Sequence, residues 1–377
     1  MSIFLKNNDA GGADDSNDQL SIYDFLAEYF APMPEPPAFI VFRQLVADSA
    51  NVAELKETLK LFNDFYRKPT AVLPDEENYQ IGQTFAWVAG GEDGQNWFHV
   101  MPSADAKIYA DQSFAILLDM LEKPTTDKSL EQKLANLNRS ETTSDNGEKL
   151  VFRQSVASWA FPLTQKIYEW NKTQSPEKKA ALLALARKLA FTSADRVPVK
   201  IGLLALGSVG DKNDDDFDKA LILARHEEFA WFASRLFYQS LDNPLFQLWE
   251  IAYANEGWGR ILSLQTMFSL LRESNYQAPT LLRQWLLREG CNNQIMPQYT
   301  AFEIIEVADL EAELAQKNLD PDLLRGAETM LRAVVEGGPV NVDLDQWASS
   351  NKIFELYRQR ASESLGTESF STDFLPV

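Results

Sequence analysis

Beyond residue 149 the sequence is a run of short amphipathic helices joined by very short linkers, and no other feature constrains the fold as strongly. Ser175-Pro176-Glu177 supplies an N-cap, a first-turn proline and a first-turn acid. Leu182, Leu185, Ala186 and Leu189 follow at the i, i+3, i+4, i+7 spacing of one helix face. Asn243-Pro244 opens another helix, with Leu245, Leu248, Trp249 and Ala252 in the same pattern. Ile261, Leu264, Phe268 and Leu271 form a further stripe, as do Ala301, Ile304, Ile305 and Ala308. Asp320-Pro321 caps a helix carrying Leu323, Ala327, Leu331 and Val334, which stops at Glu336-Gly337-Gly338-Pro339. Short linkers force antiparallel neighbours. Helix pairs that recur at roughly 30–40 residues predict a repeat array, since each pair is too thin to bury its apolar face alone.

The N-terminal third is less regular. Residues 9–19 are rich in Gly, Asp, Asn and Ser and predict a mobile start. Ser21-Ile22-Tyr23-Asp24 reads as a capping box, and the helix it starts must stop near Pro32-Met33-Pro34-Glu35-Pro36-Pro37. Helical patterns resume at 38–48 and 52–67. Thr84-Phe85-Ala86-Trp87-Val88 and Asn96-Trp97-Phe98-His99-Val100 flank Gly90-Gly91-Glu92-Asp93-Gly94, and predict a small β-hairpin near 84–100, with helix as the competing assignment. A helix over 104–122 places Phe114, Leu117, Leu118 and Leu121 on one face. The polar run Ser140 to Glu148 reads as a long loop or domain boundary. The expected division is a mostly helical region over 1–148, a helical repeat domain over 149–362 and a flexible tail over 363–377.

Three junctions look alike in kind, each between two apolar helices: Ala224-Arg225-His226-Glu227-Glu228-Phe229, Ala254-Asn255-Glu256-Gly257-Trp258 and Arg288-Glu289-Gly290-Cys291-Asn292-Asn293. In these features residues 150–360 resemble the HEAT-like α-solenoid superfamily. The strings Gly257-Trp258-Gly259-Arg260-Ile261 and Trp285-Leu286-Leu287-Arg288-Glu289-Gly290-Cys291 are similar to segments of bacterial HEAT-like proteins. The resemblance implies an all-α right-handed superhelix of antiparallel helix pairs. It carries over no catalytic residue and no substrate.

Composition narrows the function classes. The chain of 377 residues is 45% hydrophobic and carries 55 acidic against 35 basic residues, a net charge of -20. That field repels nucleic acid and anionic membranes and favours a basic partner, or serves solubility alone. No signal peptide and no apolar run near the roughly 20 residues of a membrane span is visible, so the expected location is cytoplasmic.

Few catalytic constellations survive inspection. Cys291, His99 and His226 are the only Cys and His residues, one short of a four-ligand zinc site. Asp211, Asn213 and Asp215 fill the first calcium-loop positions, but Asp216 stands where the turn needs glycine and Ile222 where the bidentate glutamate belongs. Gly202 and Gly207 have P-loop spacing, but Ser208 replaces the lysine. No Gly-x-Ser-x-Gly elbow is present, and neither histidine sits in a triad motif. His226 reads as a helix-end cap and Cys291 as a small buried residue rather than a reactive thiol. Trp231, Trp249, Trp258 and Trp285 read as core rather than a ligand groove. No cofactor and no metal are expected.

In a repeat array equivalent turns align in a row. Here that row carries Arg225, Glu228, Trp258, Arg260, Glu289, Asn292 and Asn293, mixed charge with an aromatic, which predicts a protein-recognition strip. The alternative is that Arg260 and neighbouring acids pair to hold the turns. The expectation is therefore a non-enzymatic protein-binding scaffold or adaptor in a bacterial-type cytoplasm. A narrower form is an acidic inhibitor or immunity-type protein for a basic partner. The competing class is a small-molecule enzyme with an unfamiliar carboxylate site.

Overall fold

A computed structural model describes residues 20–31, 68, 70–80, 88–99, 104–123, 128–143, 147, 149–274, 277–295, 297–317, 319–364 and 370–376. The helical patterns expected at 38–48 and 52–67, and the mobile start, lie outside these residues. The described chain is mostly helical, with one two-stranded sheet.

The N-terminal elements are α1 (Ile22–Phe30), α2 (Glu76–Gln80), α3 (Gly91–His99), α4 (Ala104–Glu122) and α5 (Lys128–Ala135). Ser21 caps α1, accepting from the Asp24 amide at 3.0 Å, and the helix ends at Ala31 before the prolines, as the capping box predicts. In α4 the buried face runs through Ala106, Ala110, Ser113, Ile116, Leu117 and Met120; of the expected stripe Leu117 is buried, and Phe114 and Leu121 are partly buried against the core. The hairpin expected near 84–100 is corrected in its second half, where Gly91–His99 is helix; residues 84–87 lie outside those described. Gly90 turns the chain into it at φ +72, and Gly94 lies against the Trp258 ring, where a Cβ would sit 2.1 Å from Cε3. Those glycines serve close packing and not a strand reversal.

The hairpin lies elsewhere. β1 (Arg139–Thr143) pairs antiparallel with β2 (Lys149–Arg153), Glu141 opposite Val151. The polar run expected as a loop is thus partly strand, and the junction expected at 148/149 falls inside the hairpin connection.

From 157 onward the expected helices form: α6 (Ala157–Thr173), α7 (Pro176–Thr192), α8 (Arg196–Ser208), α9 (Asp214–Ala224), α10 (Ala230–Ser240), α11 (Leu245–Ala254) and α12 (Trp258–Ser274). Each predicted apolar stripe among them is buried. Contacts follow two rules. Sequence neighbours pack (α7 on α8, α11 on α12), and so do alternate helices, α8 on α10 and α10 on α12. Close approach is enforced at Gly202 of α8, where a Cβ would lie 2.4 Å from the Ala190 amide of α7.

Between 280 and 314 the helices are short, and longer ones return from 321. α13 (Thr280–Trp285) widens into a π-turn over Leu286–Gly290, followed by α14 (Ala301–Val307), α15 (Leu310–Leu314), α16 (Pro321–Glu336) and α17 (Ser350–Glu363). Asp320 caps α16 through the Leu323 amide at 3.1 Å, and Gly337 ends it at φ +68. The expected free tail is corrected for 370–376: Leu375 is buried, and the Tyr357 hydroxyl donates to Ser371 O at 3.2 Å.

The core falls into two main clusters. The first runs from Ile22 to Leu262 and draws on residues either side of 148. The second runs from Leu245 to Leu375, and both draw on α11 and α12. Trp231, Trp249, Trp258 and Trp285 are all buried. Cys291 is buried too, and burial pushes its thiol up to about 12, so it is no nucleophile at neutral pH. No helix among the described residues is long and apolar enough to cross a membrane.

Candidate functional site

An apolar helical stack has no use for charge unless each charge is paired, because burial strips its hydration. Lys200 stands inside the otherwise apolar stretch 197–206 of α8, and its side chain is buried. Its Nζ lies 2.7 Å from Asp93 Oδ2 and 2.7 Å from Glu228 Oε1. Burial opposes the ammonium charge, but Asp93, Glu228 and Glu92 outweigh it and hold the Lys200 pKa above its ordinary value. Asp93 also accepts from Ser155 Oγ at 2.7 Å and the Ala157 amide at 3.0 Å. Glu228 accepts from the Gly90 amide at 2.7 Å. Burial works against its charge, yet Lys200 and Arg196 draw the Glu228 carboxyl well below the usual range.

One turn earlier, Arg196 begins α8 with a remote cap. Its backbone N–H donates to Asp75 Oδ2 at 2.9 Å and its guanidinium to Asp75 at 2.9–3.2 Å, with a further bond to Glu76. The Arg196 and Arg153 guanidinium carbons lie 4.0 and 4.3 Å from the Tyr79 ring centroid, a double cation–π contact. The Tyr79 hydroxyl donates to Glu92 Oε2 at 2.6 Å. Glu92 Oε1 is shielded from water and has no hydrogen-bond partner among the described residues. Burial, with Asp93 alongside, raises the Glu92 carboxyl to about 7.

These groups fasten residues 70–80 and 88–99 to the helical stack, and they border a cleft of about 470 Å³. Glu76, Tyr79, Glu92, Arg196, His226 and Glu228 form its polar wall, and Ala71, Val72, Val88 and Ile295 its apolar rim. His226 stands at a helix end as expected, but its ring nitrogens bond to a loop carbonyl across the fold and to the next turn, not to the carbonyls of α9. Its Nε2 faces Ala71 O at 2.9 Å and its Nδ1 accepts the Glu228 amide at 3.2 Å, which fixes the neutral tautomer. Burial lowers its pKa.

Glu92 gives a pH signature. A carboxyl whose pKa rises on folding binds its proton more tightly in the native state, so stability falls as pH rises from about 4.5 to about 7. The full effect is up to about 3 kcal/mol above that window. Glu92→Gln keeps an acceptor for Tyr79 and removes the titration. We expect the variant to gain on the wild type between pH 5 and 8 in urea unfolding, and parallel pH profiles would show that Glu92 does not titrate there.

The predicted recognition strip is divided by the fold. Arg225, Glu228, Trp258 and Arg260 are buried and are corrected as surface contacts. The Arg225 guanidinium lies 4.4 Å from the Phe30 ring centroid. Trp258 packs on Tyr299 at 4.9 Å. Arg260 pins turns together through carbonyls, Nε to Ala252 O at 3.0 Å and Nη1 to Glu289 O at 3.4 Å and Asn292 O. It holds turns, as the alternative reading has it, and these carbonyls are among its partners. Next to it, Glu227 receives the amides of Glu256, Gly257 and Gly259 and so caps α12 from the preceding turn.

Glu289, Asn292 and Asn293 remain together. With Glu256, Pro297 and Thr329 they line an open groove of about 370 Å³, continuous with a second concavity of about 450 Å³ over α16. Both polar atoms of the Asn293 carboxamide are shielded from solvent and have no partner among the described residues. Gln294 lines groove and cleft alike, so the two concavities meet there.

Among the described residues no three Cys, His, Asp or Glu side chains gather as a metal site. Asn213 and Asp216 instead form a capping box, with Asp216 held by Arg187 at 2.7 Å through both oxygens. Sequence inspection missed Asp75, Asp93, Arg196 and Lys200. The signal was present in Lys200, a lysine inside an apolar helix. Comparison with protein-family models, with curated proteins and with solved structures finds no match for this chain.

Proposed function

We propose that this chain is a non-enzymatic protein-binding scaffold, a HEAT-like α-solenoid whose row of turns around 256–298 receives a partner. Neighbour and alternate-helix packing over α7 to α12 supports the solenoid arrangement. The observation that carries the binding role is Asn293. Its carboxamide has donor and acceptor both unpartnered among the described residues but shielded within the groove wall, so it pairs with a partner's peptide group where docking turns the side chain outward. The net charge of -20 favours a basic partner and fast, salt-sensitive association, the behaviour of an acidic inhibitor as much as of an adaptor. The enzyme reading rests on one observation, the Tyr79–Glu92 pair with a carboxyl near 7 at the cleft wall.

The test is capture of partners by the immobilised chain from cells that produce it, at low and high salt, beside Asn293→Ala. A protein retained at low salt should be retained about tenfold less well by the variant, the loss of one buried polar pairing. No captured protein at either salt, or equal retention by Asn293→Ala, overturns the proposal.

A further inference from the structure

We propose that the cleft between residues 70–79 and 88–92 on one side and the 226–228 turn on the other binds a primary ammonium group carried on an aliphatic stem. Four carboxylates line this cleft, and three of them are committed. Glu76 takes Arg196, Glu227 takes three backbone amides, and Glu228 takes Lys200 and the Gly90 amide. Glu92 spends Oε2 on Tyr79 and leaves Oε1 without a donor. The unmet demand is one donor at one oxygen, beside an excess of negative charge.

That demand selects the ligand. An anion meets the wrong field. A divalent cation needs several free oxygens at once, and the other carboxylates are occupied. A guanidinium favours a planar two-oxygen match, and only one oxygen, itself shielded from bulk water, lacks a donor. An ammonium is compact, with three rotatable donors, and satisfies a single oxygen. The entrance fits a stem: Val72 and Val88 stand 74% and 63% exposed on the rim, an unusual degree for large aliphatic side chains, with Ile295 beside them. A chain of several methylenes gains by covering them. The volume of about 470 Å³ is ample for such a chain.

Protons enter the equilibrium. Tyr79, Asp93, Lys200 and Glu228 act on Glu92 directly, and Arg153 and Arg196 lie over the Tyr79 ring. Burial comes first among the causes that leave this carboxyl near 7, so an arriving ammonium displaces its proton below that pH. The ionised fraction rises from about one tenth at pH 6 to about nine tenths at pH 8, and affinity should rise about tenfold with it.

The site stands apart from the scaffold reading, because its probe is a small amine and needs no partner protein. Calorimetric titration of the full chain with n-pentylammonium chloride, at constant ionic strength, should give one saturable site. Binding should weaken about tenfold from pH 8 to pH 6 and by at least tenfold in Glu92→Gln. Val72→Lys places a competing charge on an exposed rim position that tolerates substitution, and should weaken binding equally. n-Pentylguanidinium should bind less well than the amine. A blocked Gly-Gly-Lys-Gly-Gly peptide distinguishes the sources: tighter binding than the free amine assigns the site to a lysine of a protein, weaker binding to a small amine. No saturable heat with either, affinity unchanged between pH 6 and 8, or undiminished binding by both variants overturns the proposal.

Discussion

Lys200→Met should lower the unfolding free energy by about 3–5 kcal/mol, the cost of leaving buried carboxylates without their counter-ion. Methionine matches the volume and keeps the contact with the Phe232 ring, which the lysine Nζ approaches to 5.3 Å from its centroid. The change is therefore electrostatic. Asp93 retains Ser155 and the Ala157 amide, and Glu228 retains the Gly90 amide with Arg196 at 3.7 Å. Those hydrogen bonds orient the two carboxylates but do not neutralise them. Adding Asp93→Asn and Glu228→Gln to Lys200→Met should restore much of the loss, since the neutral trio keeps its shape without a net charge. Urea unfolding at pH 7.5 measures all three states. A loss below about 1 kcal/mol for Lys200→Met would mean that water reaches the cluster and the network is not a fastening.

The same lysine shows what the sequence made legible. Helices were readable wherever apolar spacing and caps agreed: Ser175-Pro176 opens α7, Asp320-Pro321 opens α16, and Gly337 closes it. Local rules sufficed there because the local and tertiary preferences coincide. At Gly90–His99 they do not. The aromatic pair Trp97-Phe98 after a glycine-rich run has the signature of a hairpin, yet Trp97 meets Trp231 at 5.5 Å and Phe98 meets Tyr299 at 4.6 Å. Distant partners decide that segment, and no window along the chain contains them. The true hairpin had a signal in Gly147, with φ +80, but neither strand alternates: β1 is polar throughout and Leu150-Val151-Phe152 of β2 is an unbroken apolar run.

The site was legible in part for a related reason. A charge within an apolar helix announces that a partner exists without saying where. Lys200 and Asp93 are 107 positions apart, and Arg196 and Asp75 are 121 apart. The turn residues fared unevenly because a turn at a helix junction can face outward or be overlaid by another segment. Arg225 and Glu228 lie beneath residues 30 and 90, whereas Asn292 and Asn293 border an open groove. Alignment of turns predicts a row; it does not predict which members of the row are covered.

Gly326→Ala tests the packing that shapes that groove, and here two effects of opposite sign compete. At an exposed helical position the change gains about 1 kcal/mol from reduced chain entropy. In α16 the added Cβ would lie 1.7 Å from Leu287 O and 3.2 Å from Cys291 Sγ. Leu287 O belongs to the backbone of the π-turn, so no rotamer change relieves the overlap. The turn is itself constrained, with the Cys291 amide bonded to Leu286 O at 3.1 Å and Arg288 bonded to Asp320 at the head of α16 at 2.7 Å. Separating the two segments enough to admit a methyl group strips contacts from Leu323, Leu324 and Ala327 on the same buried face. Overpacking of this kind costs about 1–3 kcal/mol and more against a fixed backbone, so the net change should be a loss of about 2–3 kcal/mol. Cys291 reports it independently. In the native chain its buried thiol should resist Ellman's reagent, and in Gly326→Ala it should react several-fold faster, because the gap opens directly over the sulfur. A variant as stable as the wild type, with the thiol equally protected, would mean that α16 does not rest on the π-turn at Gly326.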